Sequence, residues 1–542
     1  MLPGHGRKNL GMTRMTRRQV LRGSAVAAAA VALGAPAVHA QKGRQTLQFV
    51  AEADLKVLDP IWQTAYITRN HGFLVYDTLF GTDENLQVRP QMVDRTAVSG
   101  DGMKYTFTLR DGLRWHDGQP VQSEDCVESL KRWGKRDRFG RLLMAHTASI
   151  TPVDRKTFTL ELAERFGPVL EALGKSGSNV PFMMPARIAS TPADKPITEV
   201  VGSGPFRFSK DEWKPGDQVV YVRNPDYVPR SEAASGSTGG KKAYLDRVVW
   251  RYMPDPWAAA DALASGEVDW WQEPPLDFLP KIEQDPGLQT FLLDPLGAQG
   301  WLRPNHLHPP FNNRKAREAL LHMMDQVTYL SWAHGMAKYY RPCASVFACR
   351  GPYATKVGAE PIVKHDLTRA RQLVKESGYD GRPVVVIHVT DRTHLNAATI
   401  VTRNRLASIG FNVILKGMDW STNLTARARR EPPERGGWSI LHTFWTAADV
   451  LSPPVHFGLS GAGSNAWFGW PDVPQLDRLT TEWVRATDPT RRKQIADDIQ
   501  KVALQEVTYV PWGEWVQPTA FRKNVQGVLK FTAPVFWNVK VT

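Results

Sequence analysis

Three groups of residues have the types and spacing for chemistry. His306 and His308 flank Leu307, an alternation that in a strand sets both imidazoles on one side, where they could chelate a metal ion. Cys343 and Cys349 flank a short loop between Arg341-Pro342 and Gly351-Pro352. In an oxidising compartment such a pair is a disulfide candidate, whereas a metal site would want four soft ligands and no second pair exists. Gly174-Lys175-Ser176 has the ending of a phosphate loop, but Val169 stands where that loop needs its first glycine, so a phosphate cradle is excluded. Neither His-Glu-x-x-His nor Gly-x-Ser-x-Gly occurs among the residues. Nineteen tryptophans are many for 542 residues. Their faces suit packing first and ligand stacking second. The inventory agrees with a binder better than with an enzyme, an exported hydrolase being the enzymatic alternative.

The N-terminus is an address. Thr16-Arg17-Arg18-Gln19-Val20-Leu21-Arg22 sets paired arginines before an Ala-rich run from Gly23 to Ala35, and Val38-His39-Ala40 offers small residues for cleavage. This is the pattern of a twin-arginine export signal spanning residues 1–40 and cut after Ala40. No cysteine follows the cut to carry a lipid, and no later stretch approaches the ~18 consecutive apolar residues of a membrane span. The mature chain is expected to be soluble and periplasmic. The formal charge is +14, and residues 1–40 hold six basic residues and no acidic one, which leaves +8 on the mature chain. That balance, without a basic stripe, argues against a nucleic-acid partner. The densest basic cluster, Arg427, Arg429, Arg430 and Arg435 around Pro432-Pro433, reads as a solvated loop.

The elements that must position these groups are those of an α/β protein of two or three domains. Tyr105, Phe107 and Leu109 alternate with Thr106, Thr108 and Arg110, the period of a half-buried strand. Asp111-Gly112 turns the chain, Leu113-Arg114-Trp115 reads as a second short strand, and Ser123 stands at the N-cap of a helix. Arg230 to Lys242, rich in Ser and Gly, reads as a mobile surface loop. Asp366 begins a helix with Ala370, Leu373 and Val374 inward, closed by Gly378. The apolar strand 384–389, a helix over 395–409 and a strand over 411–415 predict a right-handed parallel crossover. Asp488-Pro489 opens a last long helix with Ile495, Ile499 and Val502 on one stripe.

The wording of the central stretch, "YTFTLRDGLRWHDGQPVQSEDCVESLKR", closely resembles the signature region of the family 5 solute-binding proteins, the extracytoplasmic peptide- and nickel-type receptors of ABC importers. Further family-like elements follow in order. They are Leu58-Asp59-Pro60, Gly202-Ser203-Gly204-Pro205-Phe206, Arg223-Asn224-Pro225-Asp226-Tyr227, Ser265-Gly266-Glu267-Val268-Asp269, and Phe311 with Arg317, Ala319 and Leu320. The resemblance implies a bilobed, periplasmic-binding-protein-like α/β fold (type II) with an extra subdomain in the first lobe. The first lobe would take residues 41–300, with the subdomain near 85–200, and the return segment 518–542. The second would take 301–517, hinged near Gly300-Trp301 and Trp512 to Trp515.

That resemblance implies an importer receptor with neither catalytic residues nor a resident cofactor or metal, closing its lobes on di- or oligopeptides or related small solutes. A nickel- or haem-type metal-complex receptor is the alternative inside the family. Its partners would be the ABC transporter permease subunits in the inner membrane and, during export, the twin-arginine translocase; the receptor itself would be a monomer. Phe444-Trp445-Thr446-Ala447-Ala448-Asp449 resembles the segment in which peptide receptors place an aspartate for the peptide's α-ammonium group. Asp449 is the implied anchor, although one extra residue separates it from Trp445 and Ser452-Pro453 replaces the family's "DP". His442 falls where some relatives carry a basic residue facing the ligand. Trp445, Trp467 and Trp470 would wall the pocket from one lobe, and Trp62, Tyr66, Trp270 and Trp271 from the other.

Overall fold

The computed structural model describes residues 45–542. The export signal lies outside the described residues. Two large sheets organise the chain. The seven-stranded sheet runs, edge to edge, through Leu288–Phe291, Thr519–Arg522, Trp270–Trp271, Thr46–Val50, Arg247–Arg251, Gln218–Arg223 and Phe206–Lys214. Thr46–Val50 pairs in parallel with both of its neighbours, and antiparallel strands extend the sheet on each side. Parallel neighbours need a crossover. Helix Pro256–Ser265 supplies one, started by the Asp255 carboxylate on the Trp257 N–H and ended by Gly266 at φ 84°. That left-handed conformation suits glycine.

The six-stranded sheet has the order Tyr340–Arg341, Val510–Trp515, Ala298–Pro304, Ile440–Thr446, Val384–Val389 and Val413–Met418. Its last two strands are parallel, Val384 opposite Val413, and helix Thr393–Ser408 bridges them. This is the crossover expected from sequence, with the helix starting two residues earlier and the strand two residues later. The caps at Asp366 and Asp488 also form, each carboxylate accepting backbone N–H groups of the first turn. A smaller four-stranded sheet, Val93–Val98, Lys104–Leu109, Thr157–Leu162 and Thr147–Pro152, buries Tyr105, Phe107 and Leu109 on one face.

The chain passes between the two large sheets at residues 292–297 and 516–518. Gly300-Trp301 and Trp512 to Trp515, expected at the hinge, lie within adjoining strands of the six-stranded sheet. The two crossings touch: Gly297, at φ 77°, lies so close to Trp515 that a Cβ would stand 2.0 Å from the Trp515 carbonyl oxygen.

Local expectations fail where a side chain finds a distant partner. Ser123 is the first helical residue rather than the cap, because its hydroxyl donates to the Asp154 carbonyl; the Asp125 carboxylate instead accepts the Gln122 N–H at 2.8 Å. Leu113 to Trp115 forms only an isolated bridge, Arg114 opposite Pro120. The segment 230–242 is not a free loop. Ser237 and Thr238 are buried, and Lys241 forms a buried ion pair with Asp77 at 2.8 Å.

Candidate functional site

The site is assembled from the loop after the first strand. The Asp59 carboxylate accepts the N–H groups of Ile61 at 3.0 Å and Trp62 at 3.2 Å, which fixes the turn through Pro60. It also accepts the Ile197 N–H and two N–H groups of the Arg132 guanidinium, at 3.2 and 2.6 Å. Trp62 is held by its indole N–H on the Asp194 carbonyl, and Tyr66 opens helix Tyr66–Val75.

Tyr66 reaches across to the turn that follows strand Ile440–Thr446 of the six-stranded sheet. Its hydroxyl donates to Asp449 Oδ2 at 2.7 Å and accepts the Thr446 N–H at 2.7 Å. Asp449 Oδ1 accepts both the N–H and the hydroxyl of Ser178, at 2.8 and 2.9 Å, and the Thr446 hydroxyl lies 3.3 Å from Oδ2. Asp449 is fully buried, all its donors are neutral, and among the described residues no cation stands within ion-pair distance. Burial, aided by the Asp449 carboxylate, pushes the Tyr66 hydroxyl well above its ordinary range, so it stays a donor.

Three cavities lie between the lobes. One of 590 Å³ is lined by Trp62, Ile67 and Asn179 from one side and Arg427, Phe457 and Trp467 from the other. One of 360 Å³ lies beside Glu52, Trp271, Glu273, Arg392, His394 and Trp420. A third, of 90 Å³, shares Glu52, Glu273 and His394 with it and is closed by Tyr66, Arg69 and Thr446. The sequence-derived set divides accordingly. Trp62 and Trp467 meet in the 590 Å³ cavity, Trp271 lines the 360 Å³ one and Tyr66 the 90 Å³ one. Asp449 and Trp445 stand directly behind these walls, Trp445 packing on Phe457 at 5.2 Å and Trp467 at 5.4 Å.

Three expected residues are in the cores instead. Trp270 is enclosed in the seven-stranded sheet by Phe49, Phe521 and Phe536, and its indole donates to Thr519. Strand alternation turns it inward and its neighbour Trp271 outward. Trp470 packs on Trp438 at 5.8 Å. His442 pairs with Thr402 at 2.8 Å under the six-stranded sheet, and burial pushes its pKa down to about 3, so it is neutral. The pair His306 and His308 follows strand Ala298–Pro304 rather than lying in it. Each ring is hydrogen-bonded to a backbone carbonyl, Val507 and Arg430 respectively, which agrees with packing rather than chelation.

Cys343 and Cys349 form a disulfide, their Cα atoms 6.1 Å apart. With Glu514 they make the one close cluster of metal-ligand types among the described residues. It is not a free ligand set, because the sulfurs are joined and Glu514 binds the Arg341 guanidinium and the Cys349 N–H.

Sequence reasoning missed an ion network that spans the lobes. Arg392 donates to the Glu52 carboxylate at 3.0 Å, to the Glu52 carbonyl at 2.6 Å and to Glu273 at 3.3 Å. No local signal could reveal it, since Glu52 and Glu273 are separated by the whole first lobe. Although 29% of the Glu273 side chain stays exposed, its carboxyl is pushed up to about 7, first by burial and then by the Glu52 carboxylate, with Arg392 opposing. Arg69, Asp294 and His394 line the same space. A raised carboxyl holds its proton more tightly in the folded chain than at its ordinary value of 4.5. Its contribution to stability is therefore full below pH 4.5 and is lost as the pH rises through 7. Thermal unfolding across that range is expected to show a decline that Glu273→Gln lessens; an identical slope in the variant would remove the assignment.

Residues 87–466 match the bacterial extracellular solute-binding proteins, family 5, and residues 14–34 match the twin-arginine translocation pathway signal sequence. The chain belongs to the family 5 extracellular solute-binding proteins. It is 37% identical, over 97% of its length and 99% of the relative's, to the probable peptide ABC transporter periplasmic-binding protein y4tO of Sinorhizobium fredii. Among solved structures it resembles the periplasmic binding protein DppA from Helicobacter pylori in complex with the peptide STSA. There the TM-score is 0.78 and the identity 21%, over 92% of this chain and 98% of that one. The PBP AgaA of A. tumefacien R10 in complex with agropinic acid gives 0.76 and 22%, over 92% and 99%. The fold is thus that of the bilobed periplasmic binding proteins, and the export signal directs the chain out of the cytoplasm. Among the described residues no helix is long and apolar enough to cross a membrane.

Proposed function

We propose that this protein is the capture receptor of an ABC importer, that it binds di- or oligopeptides or related small solutes between its lobes, and that it delivers them as a monomer to permease subunits in the inner membrane. The mature receptor would start at Gln41 after twin-arginine export. N-terminal sequencing of the exported protein checks this, and an intact Met1 would sink it. The peptide reading is supported by the likeness to a probable peptide-binding relative and to a receptor holding a peptide.

One observation carries it: a buried carboxylate, Asp449, poised with four neutral donors and, among the described residues, no cation in ion-pair contact. A buried charge is stabilised by an opposite charge with hydrogen bonds, and an α-ammonium group offers both. With the lobes parted, Tyr66 and Ser178 withdraw and the carboxylate becomes the docking point. Calorimetry with a di- and tripeptide library is expected to find binders whose affinity falls by roughly 2–5 kcal/mol in Asp449→Ala. A loss below about 1 kcal/mol would move the anchor elsewhere. A library without any binder would replace the ligand class and leave the receptor assignment standing.

A further inference from the structure

The 590 Å³ cavity is charged in a way that the peptide anchor does not explain. Its lining includes Lys56, Arg136, Arg138, Arg141 and Arg427 but a single acid, Asp54, and of these cations Arg138 is paired with Asp477 at 3.2 Å. Asp54 is already turned to Lys56 and to the Gly216 N–H. The neighbouring 360 Å³ cavity has the opposite balance, with Glu52, Asp54, Glu273, Asp277 and Asp391 against Arg392. The space between the lobes is therefore polarised from a basic end to an acidic end.

Arg427 is the decisive residue at the basic end. It follows helix Trp420–Ala426 and is only 5% exposed, with its guanidinium against Phe468 at 5.0 Å and Trp467 at 5.5 Å. Its one side-chain hydrogen bond is a long contact of 3.4 Å to the Thr64 hydroxyl, and its Nε–H has no partner. Among the described residues no carboxylate is paired with it. Arg303, equally buried and also without an acid, shows how the protein otherwise solves this problem. Its guanidinium donates to the carbonyls of Phe468, Gly458, Thr508 and Trp467, at 2.8, 3.2, 2.7 and 3.2 Å. Arg427 lacks that ring of acceptors. Burial alone pushes its pKa down to about 9, which leaves it charged at neutral pH. An unpaired, desolvated guanidinium facing a cavity demands an anion, and its planar fork matches a carboxylate. Arg136 adds a second cation without an acidic partner, donating to the Trp62 carbonyl at 2.5 Å and lying 5.9 Å from the Trp62 ring.

We propose that this cavity is an anion subsite in which Arg427 binds a free carboxylate of the solute, with Trp62 and Trp467 flanking it and Arg136 reinforcing the charge. The proposal rests on the receptor reading and narrows it: the captured solute carries a carboxylate at one end. For a peptide, the ammonium at Asp449 and the carboxylate at Arg427 would fix the direction of binding. Ser178, which holds Asp449, is followed directly by Asn179 in the cavity wall.

The test uses the mature protein with trialanine, trialanine amide and succinate, on wild type, Arg427→Gln and Arg427→Lys. In calorimetry, trialanine is expected to bind wild type roughly 30-fold or more tighter than its amide. Arg427→Gln should reduce the acid to the level of the amide and leave the amide unchanged. Arg427→Lys, which keeps the charge without the fork, should fall between, and it carries the test if the glutamine variant does not fold. Equal binding of acid and amide by wild type would overturn the subsite while leaving peptide binding intact. If no peptide binds, the peptide reading fails and succinate decides. A rise in melting temperature for wild type that is smaller in Arg427→Lys and absent in Arg427→Gln keeps the subsite, and an equal or absent rise in all three proteins removes it.

Discussion

Gly177→Ala is expected to leave the chain folded and to weaken capture by on the order of 100-fold. Gly177 lies against Asp449, which follows strand Ile440–Thr446 of the six-stranded sheet. An added Cβ would stand 2.2 Å from Asp449 Oδ1 and 2.6 Å from its Cγ. The short aspartate cannot swing aside without surrendering its bonds to Tyr66, Ser178 and Thr446. The backbone at Gly177 is not in the left-handed region, so alanine fits locally. The clash is relieved by parting the lobes. Affinity scales with the population able to close, so the loss appears as weaker binding rather than as unfolding. X-ray scattering of wild type and variant, each with trialanine, measures the outcome alongside calorimetry. A variant with the wild-type radius of gyration and an affinity within a factor of roughly three would refute the role of this contact.

The second large effect concerns the support of the site. Arg132 and Asp59 have side chains 1% and 0% exposed and form a forked ion pair, with Arg132 also donating to the carbonyls of Thr191 and Lys195. Arg132→Met strands the Asp59 charge in the interior. Breaking a buried pair from one side costs roughly 3–5 kcal/mol, whereas replacing both members is often close to neutral. Urea unfolding is therefore expected to show a loss of that size for Arg132→Met and a partial recovery in Arg132→Met with Asp59→Asn. Recovery stays partial because Asp59 also holds the N–H groups of Ile61, Trp62 and Ile197. The same loop carries Trp62 into the cavity, so the single variant should lose solute affinity as well. A cost below about 1 kcal/mol would place the pair among the dispensable ones.

Taken by itself, the sequence determined whatever depends on neighbours along the chain. The period of two placed Tyr105, Phe107 and Leu109 on the inner face of their strand. Asp366 and Asp488 marked helix starts because a cap bonds within three residues of itself. The twin-arginine run marked the export signal, the order of the family-like motifs carried the fold class, and the likeness of the segment Phe444 to Asp449 singled out Asp449 as a candidate ligand anchor. What it could not decide was which members of one aromatic class reach a cavity and which are wholly enclosed. Trp270 and Trp271 are adjacent and chemically equal, yet one is packed in the sheet and the other lines a cavity.

The same limit governed the charges. Arg427 stood in a run of arginines that looked solvated, and Arg429, Arg430 and Arg435 are indeed exposed. Only packing on Trp467 and Phe468, with Thr64 closing over it, removed the water of Arg427 and left it without a counter-charge among the described residues. Lys241 within a Ser/Gly-rich segment and Arg392 far from Glu52 and Glu273 repeat the pattern. Burial of a charge and the identity of its partner depend on segments hundreds of residues apart, which tertiary packing alone brings together, and the desolvation that gives these residues their chemistry exists only there.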